Sequence, residues 1–225
     1  MKTFAAALTV IGILVSGWLA LAVYIFGWTP WQRHQLSLAV AGLSYAPGPV
    51  VLLGDSIMQG AARQCRHTIN LAVAGSDVAS FPSSFVDAVA SARPSAVVIL
   101  SGVNDLRRGA TPQDTSEKIA GLAAELRRAL PSATLSVLSV LPVQENEIAG
   151  QATNDKIRQT NRLLAELNND GIFDFFDVAD RFGGGRLLPD LTYDGLHLNE
   201  AGVARLDGLL FSGLARRIRT AAPQC

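Results

Sequence analysis

A serine, an aspartate and a histidine in this chain are spaced so that together they could do nucleophilic chemistry. Ser56 follows four apolar residues, Val50-Val51-Leu52-Leu53, and a Gly54-Asp55 pair. The apolar run reads as a short buried strand, and the Gly-Asp-Ser turn ends it abruptly. A hydroxyl at that corner stands at the carboxyl end of a strand, where open α/β sheets bind their ligands. It also stands at a helix start, which favours developing negative charge. The same tripeptide equally suits a plain helix cap. Much later, Tyr193-Asp194-Gly195-Leu196-His197 sets a carboxylate three residues before an imidazole. A serine needs a base to become a nucleophile, and the base needs a third group to fix its tautomer. Ser56, His197 and Asp194 suit those three roles. The chain has 3 histidines. His34 falls beside a long apolar N-terminal run, and His67 starts a strand on the opposite edge from Ser56, so His197 is the candidate base.

Acyl transfer also needs hydrogen-bond donors aimed at the oxyanion. The Ser56 backbone N–H is one. Gly75 offers a second, because a residue without Cβ lets backbone approach a substrate closely. The Asn104 side-chain amide offers a third. Ordinary turn chemistry accounts for Gly75 or Asn104 taken singly; their gathering on one edge is what points to a site. The sequence holds no HExxH, no Cys/His ligand cluster and no GxGxxG, so neither metal nor cofactor is expected. Gly183-Gly184-Gly185 lacks the Lys-Ser/Thr of a phosphate loop.

The elements that must hold these residues alternate between strand and helix. Strands are predicted over 50–53, 68–73, 96–100, 134–141 and 172–178. Helices are predicted after Ser56 and over 85–92, 111–130 and 154–168, with a last one capped by Asn199 and running to about Arg219. Thr111-Pro112 is a capped helix start with proline at its first position. This alternation implies a parallel sheet covered on both faces, a three-layer α/β/α sandwich. Right-handed crossovers bring the strand-to-helix turns to one edge, which collects Ser56, Gly75, Asn104 and the loop carrying Asp194 and His197.

In that order and spacing the chain resembles the SGNH, or GDSL-type, hydrolases. Gly54-Asp55-Ser56 matches the first block of that family and Gly75 the second. Gly102-Val103-Asn104-Asp105 matches the GxND block and Asp194-Gly195-Leu196-His197 the DxxH block. The four blocks span residues 50–210. The resemblance implies a flavodoxin-like five-stranded sheet of order 2-1-3-4-5 and esterase or lipase activity without metal or cofactor. It implies Ser56 as nucleophile, His197 as base, Asp194 as its orienter, and Ser56, Gly75 and Asn104 as the oxyanion hole. Asn161-Arg162-Leu163-Leu164 and Leu141-Pro142 are similar to the branch of platelet-activating-factor acetylhydrolases. The expected substrate is a small-molecule, lipid or glycan ester, with short acyl groups favoured because short connections leave little room for a lid. Acyl transfer to an exported glycan and a non-catalytic tethered binding module are the alternatives. Leu106, Leu141, Pro142 and Val143 are placed over the site, as acyl-pocket lining or as loop packing. Arg107 and Arg108 are read as solvated, or as contacts to an anionic head group.

Residues 3–28 carry no charged side chain, and about 20 apolar residues suffice to cross a bilayer. Trp28 and Trp31 fall where an interfacial aromatic belt would lie, and Lys2 on the short side puts the N-terminus inside. Residues 1–28 are therefore expected to be a membrane anchor, 29–48 a juxtamembrane segment and 49–225 the hydrolase domain, facing outward. The rival for the first segment is a cleaved signal peptide, with Ala20-Leu21-Ala22 resembling its cleavage site; it exports the domain too. Cys65 and Cys225 suit an oxidising compartment, either as a disulfide below the sheet or as two unrelated cysteines. Acidic and basic residues balance at 19 each, which argues against a nucleic-acid partner.

Overall fold

The computed structural model of the protein describes residues 48–61 and 68–214. The proposed anchor, the 29–48 segment up to Pro47, His34, Cys65, His67 and Cys225 lie outside the described residues. Among the described residues no helix is long and apolar enough to cross a membrane.

Five strands form one parallel sheet: β1 (Val50–Gly54), β2 (Thr68–Asn70), β3 (Ala96–Leu100), β4 (Thr134–Leu138) and β5 (Asp174–Phe176). Their order is β2-β1-β3-β4-β5, the order that the resemblance implies. β1 and β3 pair along their whole lengths, from Val50 opposite Ala96 to Gly54 opposite Leu100. Both strands are fully buried apolar runs, as parallel strands covered on two faces must be. Their two-residue period divides the core. Val50, Leu52, Val98 and Leu100 pack on one side, with Ile57, Met58, Leu206 and Leu210. Val51, Leu53, Val97 and Ile99 pack on the other, with Phe85, Val89, Ile119 and Leu126.

The helices are α1 (Ser56–Gln59), α2 (Ser83–Ser91), α3 (Val103–Arg107), α4 (Pro112–Ala129), α5 (Asn154–Leu167) and α6 (Glu200–Leu214). Thr111 caps α4 through Asp114 N–H, with Pro112 at the first position, and Thr153 caps α5 through Lys156 N–H. The five-residue α3 is not signalled by periodicity. It is one turn wound directly onto the end of β3, after Gly102 at φ +117.

Three strands are shorter than their apolar runs predict, for identifiable reasons. Past Asn70 the chain still bonds to β1, through Leu71 N–H to the Leu52 carbonyl and Val73 N–H to the Gly54 carbonyl. Ser139 N–H still donates to Phe176 C=O in β5; past it the backbone leaves the sheet and is gripped by side chains of α5. The Asn161 amide accepts from Val140 N–H and donates to Val140 C=O, at 2.8 and 2.9 Å. Asn154 does the same for Val143, at 2.9 Å each way. Two amides seven residues apart on one helix thus replace a neighbouring strand. In β5, flanking Ile172 and Val178 pack into the core without ladder bonds.

Candidate active site

β1 and β3 are the strands between which the chain's direction of winding reverses, and the crevice at such a point is where this architecture takes ligands. Ser56 is the first residue of α1, capped by Asp55, whose Oδ1 accepts from Ile57 N–H at 2.9 Å. Gly54 is required by contact. A Cβ there would meet the Leu100 carbonyl oxygen at 2.1 Å, so the corner turns flush against β3.

Side chains lock the adjoining turns to this corner. Ser76 Oγ donates to the carbonyls of Gly54 (3.1 Å) and Val73 (2.8 Å). Asn104 Nδ2 donates to Ser76 C=O at 2.8 Å. Asp105 Oδ2 accepts from Val78 N–H at 3.1 Å. The ends of β1, β2 and β3 are therefore one bonded unit. Gly75 sits in it at φ +76 with open space around its Cα, so conformation, not crowding, demands glycine there. Asn104 is buried in α3. One of its two amide hydrogens is committed to Ser76 C=O.

The second half of the site is a loop between two 3-10 turns and α6. His197 Nδ1 lies 2.6 Å from Asp194 Oδ2, while Asp194 Oδ1 accepts from the N–H groups of Leu196 and His197. Nδ1–H donating to the carboxylate leaves Nε2 as the free basic nitrogen. Thr192 organises the turn: Oγ1 donates to His197 C=O at 2.6 Å and accepts from Gly195 N–H at 2.8 Å. The segment after β4 buttresses it from behind, through Gln144 N–H to Gly195 C=O (2.7 Å) and Asn146 Nδ2 to Asp194 C=O (2.9 Å). Tyr193 stacks on the imidazole, ring centres 5.8 Å apart and planes 11° apart.

Ser56 and His197 line one cavity of about 370 Å³, with Ile57, Gly60, Tyr193 and Val203 among its walls. They face it without a direct hydrogen bond between them. Such contacts are often long before substrate binds. Gly75 and Asn104 are not among the residues lining this cavity; Asn104 joins the Ser56 corner through Ser76. A hydroxyl and an oriented imidazole facing one cavity can take a proton and attack a carbonyl.

The site's aspartates titrate in opposite directions. Burial pushes the Asp55 carboxyl up to about 7, against the pull of Ile57 N–H and the His197 charge. Burial, with Asp77 nearby, also raises Asp105, whose other oxygen lies 3.7 Å from Lys118 Nζ. For Asp194, burial pushes upward, but the hydrogen bonds from the His197 ring, His197 N–H and Leu196 N–H outweigh it and hold the carboxyl below the usual carboxylate range.

The structure chooses between the stated alternatives at two places. Leu106, Leu141, Pro142 and Val143 line no part of the cavity; they are fully buried, and the three apolar aliphatic ones belong to the core on the α1 and α6 side. Arg108 is exposed, in line with the solvated reading, and Arg107 is half-buried, yet both have protein partners. Arg107 donates to Asn104 Oδ1 and to Ile148 C=O, and Arg108 to Gly75 C=O and Asp77. Sequence reasoning gave no part to Ser76, Thr192 or Asn146, since lone polar residues in turns carry no signal of their tertiary partners. Among the described residues no three His, Cys, Asp or Glu side chains converge as metal ligands.

The model of the GDSL-like Lipase/Acylhydrolase family matches residues 52–205. No curated protein matches the chain by sequence. Solved structures share the fold. A GDSL-like lipase from Bacteroides thetaiotaomicron VPI-5482 superposes with a TM-score of 0.68 at 22% identity, over 83% of this chain and 98% of that one. An acetyl-xylooligosaccharide esterase from Geobacillus Stearmophilus gives 0.58 at 16% identity, over 79% and 98%. A peptidoglycan O-acetylesterase gives 0.57 at 16% identity, over 68% of this chain and 47% of that longer one.

Proposed function

The chain belongs to the GDSL-like Lipase/Acylhydrolase family and is an ester-hydrolysing enzyme; from that premise we propose that it works through Ser56, His197 and Asp194 and an acyl-enzyme intermediate. His197 Nε2 takes the Ser56 proton as Oγ attacks the ester carbonyl. The C=O π pair moves onto oxygen, and that oxyanion is held by Ser56 N–H, Gly75 N–H and the second Asn104 amide hydrogen. Collapse of the tetrahedral species expels the alcohol, which His197 protonates. Water, deprotonated by the same nitrogen, then releases the acid. Asp194 stays ionised throughout, and its hydrogen bond from Nδ1–H stabilises the imidazolium as it forms.

The observation that carries this reading is the one cavity lined by both Ser56 and His197, with Asp194 Oδ2 2.6 Å behind the ring. A short acyl group, acetyl above all, is the proposed cargo. The cavity of about 370 Å³ is modest and shared with the alcohol side, and two proteins of the same fold are named for removing acetyl groups from glycans. A glycan ester outside the cytoplasm is the proposed natural setting. Support for that setting comes from the uncharged residues 3–28, read as an outward-facing anchor.

The test follows p-nitrophenyl esters of increasing acyl length with the purified protein and its Ser56→Ala variant. Turnover should peak at the acetyl or propionyl ester and fall by at least about a thousandfold in the variant. A folded Ser56→Ala protein with near wild-type turnover would remove Ser56 from the nucleophile role, and an optimum at long chains would replace the acetylesterase with a lipase.

A further inference from the structure

We propose that Arg107 is a positioning residue for the oxyanion hole, acting through the Asn104 amide; the proposal rests on the reading of Asn104 given above. Arg107 Nη1 donates to Asn104 Oδ1 at 2.8 Å, while Asn104 Nδ2 donates to Ser76 C=O at 2.8 Å. These two bonds define which end of the amide is which. Turned over, the amide would put its NH₂ against the guanidinium and its oxygen against the Ser76 carbonyl, losing both bonds to like-with-like contacts. Arg107 is itself fixed at its other end, where Nε donates to Ile148 C=O at 2.8 Å. One guanidinium thus bridges α3 and the segment after β4, with Asn104 as the piece held in place.

The contact does more than orient. A charge-assisted hydrogen bond at Oδ1 draws electron density from the amide nitrogen, which strengthens the remaining N–H as a donor. The site is buried, so an amide oxygen left without a partner would favour conformations other than the productive one. Arg108 makes a parallel but exposed contact, from Nη2 to Gly75 C=O at 2.7 Å and from Nη1 to Asp77. Solvent weakens such a pair, so the buried partner of Arg107 is where the effect concentrates. The two arginines hold, one each, the turn carrying the backbone donor and the side-chain donor.

The experiment is a double-mutant cycle with Arg107→Met and Asn104→Ala, reading kcat and KM on p-nitrophenyl acetate beside thermal melts. Asn104→Ala alone should lower kcat on the order of a hundred- to a thousandfold. Arg107→Met alone should lower kcat on the order of tenfold or more with KM held within about twofold, since the lost interaction is made in the transition state. In the Asn104→Ala background the same substitution should change kcat by less than about twofold, because nothing remains for Arg107 to position. An Arg107→Met loss of equal size in both backgrounds, or no loss in the wild-type background, overturns the proposal. Unchanged kcat in Asn104→Ala overturns instead the reading on which it rests.

Discussion

Ser56 and His197 reach the same cavity from backbones held in different ways. The serine corner is a product of the sheet. β1 is paired on both sides, Gly54 is pressed against the Leu100 carbonyl, and the cap from Asp55 starts α1 at the next residue. The histidine loop has almost no regular structure. A single bridge between Thr192 and Leu198 and side-chain bonds from Thr192, Asp194, Asn146 and Asn199 hold it. The nucleophile is thus set by secondary structure and the base by a tertiary network. Their aspartates show the consequence. Asp55, enclosed by apolar core with one hydrogen-bond donor, is pushed up to about 7; Asp194, with three donors, is held low.

Breaking the sheet side should cost most. Gly54→Ala forces a Cβ onto a carbonyl oxygen in the central strand pair, which cannot move without parting β1 from β3. Destabilisation above about 3 kcal/mol is expected, seen as a collapse of the denaturant midpoint. A Gly54→Ala protein within about 1 kcal/mol of wild type would show that the corner is not fixed by the sheet.

Asp55→Asn sharpens the contrast between the two carboxylates. Asn keeps the cap and removes a charge that folding disfavours. A folded value raised from 3.8 to about 7 means that between those pH values the folded state binds more protons than the unfolded state. Stability therefore falls as pH rises through that window. The variant should match wild type near pH 3.5 and exceed it at pH 8 by a few kcal/mol, since a tenfold change in acidity is worth about 1.4 kcal/mol. A pH-independent difference in denaturant stability would contradict the burial of a charged Asp55. Asp194 runs the other way: its lowered value contributes stability above the ordinary carboxylate range, lost as pH falls through the folded value.

Thr192→Val tests the network side. The substitution keeps shape and removes the hydroxyl that joins Gly195 N–H to His197 C=O. A loss of about 1–3 kcal/mol is expected from the stranded backbone groups, which include Asp194 N–H, together with a drop in kcat as the imidazole loses its fixed orientation. Equal kcat with lowered stability would mean that Asp194 alone orients the ring.

The sequence is most legible where structure is local. Apolar runs announced all five strands, and Thr111-Pro112 announced α4 to the residue, because caps and periodicity act within a few positions. The apolar runs extend beyond the strands after Asn70 and Leu138. There the apolar residues continue, but past Ser139 the hydrogen-bond partner changes from a strand to the side chains of Asn161 and Asn154, a choice made across the fold. The same reason hid Arg107. Two consecutive arginines after a turn look solvated by composition, and only the approach of the post-β4 segment and the buried Asn104 oxygen gives them partners.

By itself the sequence determined the alternating βα pattern, hence the sheet with all its candidate reactive residues on one edge, since strand direction and crossover hand fix which turns share that edge. The tertiary structure alone decided which polar side chains join the turns into one site. Hydrogen bonds such as Ser76 to Gly54, Asn104 to Ser76, Arg107 to Asn104 and Gln144 to Gly195 link residues whose meeting depends on packing elements together, and no local propensity encodes such a meeting.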